Sequence, residues 1–359
     1  MLFPTNHVRP GHCTETRDQI LSITPKTQEQ VDILKNVSTQ YETSLWQPAS
    51  PQYIKEETQV HLYVPANSSE TVVDLLEKHN ITHEVLQANA NELIEMQTRN
   101  DSTDPRSGAT FYERYHDLND IYYWMERIIQ DNPSKVKLIL IGSSSEKRPL
   151  YVLKLSLNDN PDKKAMWIDC GIHARDGCIG VDLNRNFDAN WCTEGASNDP
   201  CTEIYCGEFP ESEPESQAVA DFLRNHKDEV QLYFSIHSYS QMLLFPYSCS
   251  MDEAENHKDL LEMTREAAQK IRRYYRNTYK YGAGSKTIYL APGGSDDWAY
   301  NLGIKYSFTF ELQDVGQYGF LLPPSHISKA CNEALIAVKT IALRVIEKTR
   351  DLARQSPTF

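Results

Sequence analysis

Several things are missing from this 359-residue chain, and each absence narrows what it can be. No stretch stays apolar for the ~18–20 residues that a membrane-spanning helix needs, so no span is expected. The first twenty residues, MLFPTNHVRPGHCTETRDQI, carry no apolar core of the kind that marks a secretory signal. There is no excess of positive charge: 36 Lys and Arg face 50 Asp and Glu, a net of −14. That balance excludes a general affinity for nucleic acid or anionic membrane and favours cationic partners. Internal repeats and low-complexity tracts are absent, and the cysteines never form the paired C-x-x-C of a zinc ribbon.

What is present describes a globular protein with room for two domains, 40% hydrophobic and 24% charged. Half of the net negative charge falls in the stretch ending at Arg106, where 8 Lys and Arg meet 15 Asp and Glu, so two units of different character are expected. Five of the eight cysteines, Cys170, Cys178, Cys192, Cys201 and Cys206, crowd into 37 residues. Without metal-ribbon spacing, that density reads as disulfides and an oxidising compartment. Four N-x-S/T sequons, at Asn36, Asn67, Asn80 and Asn100, all precede Arg106 and predict a glycosylated surface. Cysteines and sequons thus indicate a secreted, extracellular protein, although residues 1–18 form an atypical N-terminus without a visible signal.

Residues 19–98 alternate short helical and strand patterns. QEQVDILKNV has helical period, QVHLYVP alternates as a half-buried strand, and SSETVVDLLEKHN opens with a serine cap before an apolar-periodic helix. ITHEVL and NANELIEMQ follow as strand and helix, completing a small open-faced α+β domain. The polar, aperiodic RNDSTDPRSGAT reads as a linker. Beyond it, YHDLNDIYYWMERIIQ is an amphipathic helix, and VKLILIG, PLYVLKLS and AMWIDCG are apolar runs suited to a sheet buried on both faces. LYFSIHS, MLLFPYS and KYSFTFEL continue the pattern, interleaved with three long helices, which predicts an α/β layered domain with a mixed sheet.

Functional side chains in open α/β sheets gather beyond the carboxyl ends of strands. His173 follows AMWIDCG, His237 ends LYFSI, and Glu311 lies in SFTFEL. Two histidines and a carboxylate are the ingredients of a catalytic zinc site, and Asp176 is near enough to His173 to share one metal. Taken singly, H-x-x-D is a common chance pattern and His237 could be a core histidine.

Company decides. DCGIHAR, DLNRNF, FPESEPES, SIHSYSQ, YLAPGGSDDWAY and GIKYSFTFELQDVGQYGFLLP, in this order, resemble the pancreatic A/B-type zinc metallocarboxypeptidases. YETSLWQP and DPRSGATFYERYHDLNDIY sharpen the resemblance toward the plasma B-type zymogens of that family. The resemblance implies a mixed-sheet α/β/α catalytic domain at residues 110–359, preceded by a small α+β open-sandwich inhibitory pro-domain at 19–98. It also implies an activation linker at 99–109, cut after Arg106 by a trypsin- or thrombin-like protease. One Zn2+ is implied, held by His173, His237 and Asp176, with Asp182 orienting His173 and Glu311 acting as general acid/base. Asn184 and Arg185 correspond to the clamp on the substrate's terminal carboxylate, Tyr289 to the tyrosine that closes over it, and Arg175 and Tyr239 to contacts further upstream. Asp296 corresponds to the floor of the side-chain pocket, where a carboxylate selects peptide or protein substrates ending in Arg or Lys. Asp297 is expected to start the helix at DDWAYN. Cys178–Cys201 and Cys192–Cys206 are the implied disulfides, with Cys170 left unpaired, and a monomer is expected.

One departure stands out against the resemblance. Only 60 residues separate Asp176 from His237, roughly 60 fewer than in the family, and the family's glutamate ligand is Asp176 here. The absent segment normally carries a central strand and the arginine that stabilises the oxyanion, and no residue here corresponds to it. Three readings follow: a basic-residue carboxypeptidase of impaired activity; a shortened, inactive product acting at most as a binding protein; or, from outside the family, a metal-free hydrolase or lectin-like binder in which His237 matches by coincidence.

Overall fold

The computed structural model describes residues 17–98, 111–157, 163–173 and 180–355. The chain divides into two compact units, Met1–Ile94 and Glu95–Phe359. No described helix is long and apolar enough to cross a membrane.

The first unit is built on a four-stranded antiparallel sheet in the order β2-β3-β1-β4, from β1 (Gln19–Ile23), β2 (Ser44–Gln47), β3 (Val60–Val64) and β4 (His83–Gln87). Helices α1 (Gln28–Gln40) and α2 (Ala66–Lys78) cover it, and α3 (Ala90–Thr98) follows β4. Val31, Leu34 and Val37 of α1 and Val72 and Leu76 of α2 bury themselves against Leu21, Ile23, Leu62 and Val64. Two expectations change here. The β3 strand is central rather than half-exposed, so His61 is buried along with its apolar neighbours. Nor does a serine cap α2: the helix begins at Ala66 behind Pro65, without a side-chain cap from its own N-cap residue. The Asp18 carboxylate, beside β1, instead accepts the Ala66 amide at 2.7 Å, and an anion at a helix N-terminus serves the same electrostatic end. Asn36, Asn67 and Asn80 are exposed; Asn100 lies outside the described residues.

In the second unit, α4 (Leu118–Asp131) starts at Asp117, whose side chain accepts the Asp120 amide. β5 (Val136–Ser143) and β6 (Pro149–Leu155) form an antiparallel two-stranded sheet of their own. A five-stranded mixed sheet in the order β10-β9-β11-β8-β7 holds β7 (Ala165–Cys170), β8 (Val230–Ser238), β9 (Met242–Phe245), β10 (Lys280–Ala283) and β11 (Tyr306–Leu312). Helices α5 (Pro214–His226), α6 (His257–Tyr275), α7 (Gly284–Thr287), α8 (Ser295–Leu302) and α9 (Ile327–Gln355) complete the unit. Phe234, Phe308, Phe310, Leu260, Ile271 and Ile341 form the main core between sheet and helices.

The expectation that the first three catalytic strands are buried on both faces fails. β7 is an edge strand with Met166 and Ile168 exposed, and Leu140 and Leu155 of β5 and β6 are 62% and 73% exposed. The cause is topological: among the described residues no strand joins β5 and β6 to the five-stranded sheet, so their apolar residues lack the neighbours that would cover them. Cys192 and Cys206 form a disulfide, and Cys201 is also disulfide-bonded, while Cys178 lies outside the described residues. Cys170 is free and exposed.

Glu333 ties α9 to the carboxyl end of the sheet. This buried carboxylate accepts hydrogen bonds from Asn277 Nδ2 at 2.7 Å, Tyr279 Oη at 2.8 Å and Gln313 Nε2 at 3.1 Å. Glu333→Ala strands all three donors and is expected to lower unfolding stability by about 3 kcal/mol, with Glu333→Gln losing less. Denaturant midpoints of the two variants would check this, and equal midpoints would refute it.

Candidate active site

Strand register alone assembles the centre. β7, β8 and β11 run parallel, so their carboxyl ends share one edge of the sheet. Glu311 on β11 stands opposite His237 on β8, and Asp169 on β7 stands opposite Ser235, two residues before His237. Residues two apart on a strand face the same way. His173 leaves β7 three residues past its end, and its ring centroid comes within 5.1 Å of that of His237.

Each imidazole is held through one nitrogen. His173 Nδ1 lies 2.7 Å from Asp182 Oδ1, and His237 Nε2 lies 2.9 Å from Ser235 Oγ. Burial opposes charge on His173, but the Asp182 carboxylate outweighs it and raises the pKa. Burial likewise works to raise the Asp182 pKa, yet His173, then Arg185, bring it down to about 2. His237 has no such partner; burial, with the His173 charge behind it, pushes its pKa down to about 3, so the ring is neutral. Glu311 is pushed up to about 7, mainly by burial, which suits a group that must both take and return a proton near neutrality.

His173 and Glu311 open onto a cleft of about 430 Å³, part of it open to solvent, while His237 and Asp182 stand behind its lining. His173, Glu311, Asn184, Arg185, Tyr289 and Asp296 all line it. Asn184 and Arg185 sit in a single 3-10 turn, Leu183–Arg185, capped by the Asp182 side chain. The Asn184 Oδ1 accepts the Ser295 amide at 3.1 Å, leaving its NH2 group to donate. Arg185 is buried, anchored by Nε to the Gly195 carbonyl at 3.2 Å and by Nη1 to its own neighbour's carbonyl at 2.9 Å. It is the only arginine among the described lining residues. Gly293 enters the same region at φ +74°, where any Cβ would fall 2.2 Å from the Arg185 carbonyl oxygen; only glycine admits that approach.

Asp296 and Asp297 both fall in the first turn of α8 and both are buried. Asp297 does not cap the helix, whose N-cap is Gly294. Its carboxylate reaches out to accept the Ser248 amide at 2.9 Å and the Cys249 amide at 2.6 Å, fastening the loop after β9. Asp296 keeps one carboxylate oxygen, Oδ2, buried and without a hydrogen-bond partner.

Not every expected residue converges. Tyr239 is buried with its ring 5.0 Å from that of Phe320 and is not among the residues lining the cleft. Arg106, Arg175 and Asp176 lie outside the described residues. Ser248 and Thr309 line the cleft although their sequence context offered no signal. Asp169 and Ser235 carry no motif of their own, though counting back by two from His237 reaches Ser235.

The donor set fits a borderline-soft cation such as zinc: two imidazoles close together, each with one nitrogen engaged and the other left as a donor. Among the described residues no three His, Cys, Asp or Glu side chains gather closely enough to hold a metal, the third expected donor being Asp176.

Comparison with known proteins agrees with this geometry. Residues 121–177 and 176–337 match the zinc carboxypeptidase family, and residues 21–97 match the carboxypeptidase activation peptide. Carboxypeptidase B2 of Bos taurus is 44% identical, covering 92% of this chain and 94% of the bovine protein; the Homo sapiens protein is 42% identical, covering 91% and 93%. The crystal structure of thrombin-activatable fibrinolysis inhibitor superposes with a TM-score of 0.89 at 43% identity, covering 92% of this chain and 99% of that one. A carboxypeptidase A from Helicoverpa armigera, 20% identical with a TM-score of 0.75, shares the fold. The chain therefore belongs to the zinc carboxypeptidase family, an activation-peptide segment preceding its catalytic segment.

Proposed function

We propose that this chain is a secreted zymogen which, once cut after Arg106, removes C-terminal Arg and Lys from peptides and proteins at a rate well below that of its relatives. The unpartnered Asp296 Oδ2 carries the specificity. A buried, unsatisfied carboxylate oxygen is costly to the protein alone, and a guanidinium or ammonium entering the cleft would relieve that cost. Asn184 and Arg185 suit the planar terminal carboxylate, so the two charges of a C-terminal basic residue each find a complement.

One zinc ion would be held by His173 and His237, with Asp176 as third ligand. When bound it supplies Lewis acidity, polarising the scissile carbonyl and easing ionisation of water. The chain's own residues do the rest. Arg185 and Asn184 fix the C-terminus, Tyr289 closes over it, and Arg175 contacts residues further upstream. Glu311 takes a proton from the attacking water and returns it to the departing amine.

Two observations support a reduced rate. The family match comes in two pieces that meet at residues 176–177. The bovine alignment also extends over 397 positions, whereas 92% of 359 residues is about 330, leaving about 67 positions without a counterpart. With Arg185 committed to the terminal carboxylate, the cleft has no second described arginine for the oxyanion, and loss of such a donor costs ~10²–10³ in rate. Exposed Asn36, Asn67 and Asn80 are accessible for glycosylation, in keeping with secretion.

The test is hydrolysis of blocked peptides ending in Arg or Phe by trypsin- or thrombin-treated full chain. We expect Arg to be preferred at least tenfold, with kcat about 10²–10³ below carboxypeptidase B2. A preference for Phe would overturn the substrate reading. Zinc binding without any turnover would place the chain among inactive binding proteins instead.

A further inference from the structure

We propose that Asp169 is a positioning residue for His237, acting through Ser235 to fix which ring nitrogen carries the proton and so which is left to bind metal. The inference rests on the zinc reading above for its consequence, but not for its geometry.

Three side chains converge on Asp169. Trp167 Nε1 and Tyr233 Oη each donate to Oδ2 at 2.6 Å, and Ser235 Oγ donates to Oδ1 at 2.6 Å. The arrangement follows from the strands. Trp167 and Asp169 alternate on β7, while Tyr233, Ser235 and His237 alternate on β8, and the register pairs Trp167 with Tyr233 and Asp169 with Ser235. All of them face one side of the sheet.

A serine hydroxyl has one proton to give. If Asp169 takes it, Ser235 Oγ can only accept from His237, so Nε2 must be the protonated nitrogen at 2.9 Å. Nδ1 is then left with its lone pair, as a ligand nitrogen must be. The indole N–H of Trp167 can only donate, which keeps Oδ2 an acceptor; with the carboxylate ionised, Oδ1 accepts as well, and the chain of hydrogen bonds runs from His237 to Ser235 to Asp169. His173 and Asp182 make the equivalent arrangement in one step; His237 needs two.

The isosteric Asp169→Asn substitution reverses this chain. Trp167 and Tyr233 hold the amide oxygen on their side, so the NH2 group turns toward Ser235. The hydroxyl, now an acceptor at that end, donates to His237 Nε2, and the ring proton moves to Nδ1. Ser235→Ala removes the relay without reversing it.

Two measurements on the full chain decide the matter. In metal-free wild-type protein labelled with ¹⁵N-histidine, His237, assigned by its loss in His237→Asn, should be protonated at Nε2; protonation at Nδ1 would overturn the proposal whether or not zinc ever binds. Chelator competition should then show zinc affinity about 10–100-fold weaker for Asp169→Asn, with a smaller loss for Ser235→Ala. An Asp169→Asn affinity within threefold of wild type would equally overturn it. Should wild-type protein bind no zinc at all, the metal reading fails while the tautomer result still stands.

Discussion

Replacing Glu311 with glutamine is expected to lower kcat of the protease-activated chain by about 10²–10⁴ while leaving KM for a C-terminal Arg peptide within a few-fold. Glutamine keeps the size of the side chain and its place opposite His237, so the cleft and its clamp remain. What disappears is a cleft carboxylate that can exchange a proton near neutrality, its pKa pushed up to about 7 chiefly by burial. Asp182 cannot substitute, being bound to His173 and held at about 2. A protonated carboxyl cannot accept the water's proton, so wild-type kcat/KM should fall as pH drops through the working pKa of Glu311, and that acid limb should vanish in Glu311→Gln. Steady-state kinetics between pH 5 and 8 would show it. A variant retaining more than a tenth of wild-type kcat with its acid limb intact would assign the base elsewhere.

How much of this could be read from the residues depended on whether local pattern or long-range pairing decided the matter. The apolar runs of β8, β9 and β11 sit where their periodicity puts them, and the placement of His237 and Glu311 at the sheet's carboxyl edge follows from that. The pairing of Glu311 with His237 depends on register, which a single strand does not encode. β5, β6 and β7 show the limit more plainly. Their sequences are those of strands covered on both faces, yet Leu140, Leu155 and Ile168 are exposed, because cover depends on neighbours contributed by other segments. At α2 the serines fit a cap by residue type, but Asp18, about fifty residues earlier, does that work. Asp297 falls in the first turn of its helix, as residue type suggests, but that its carboxylate also fastens the Ser248 and Cys249 amides depends on a distant segment.

Asp296→Asn carries the second large effect, and it acts on activity and stability in opposite directions. Loss of the buried charge facing the substrate's guanidinium is expected to reduce kcat/KM for C-terminal Arg by about 2–5 kcal/mol, roughly 30- to several thousand-fold. Peptides ending in uncharged side chains should be affected far less, so the ratio of the two rates is the direct readout. Stability should rise, because burial makes both carboxyls harder to ionise in the folded state. Burial raises the Asp296 pKa, and burial together with the Asp296 charge pushes Asp297 up to about 7, from an ordinary value of 3.8. A carboxyl whose pKa is higher in the folded state binds more protons there than when unfolded, so the pair's contribution to stability falls as pH climbs from about 4 to about 7. Removing the Asp296 charge lets the Asp297 pKa move back down, aided by the Ser248 and Cys249 amides that favour its ionised form. The variant should therefore unfold at a higher temperature than wild type at pH 7–8, while the two converge near pH 4. Thermal unfolding of metal-free protein at both pH values reads this directly. Coincident melting at pH 7–8 would mean that the Asp296 charge does not destabilise the fold, and an unchanged preference for Arg would mean that Asp296 does not meet the substrate's charge. If both effects appear together, selectivity for basic C-termini in this chain rests on a destabilised carboxylate kept buried for its substrate.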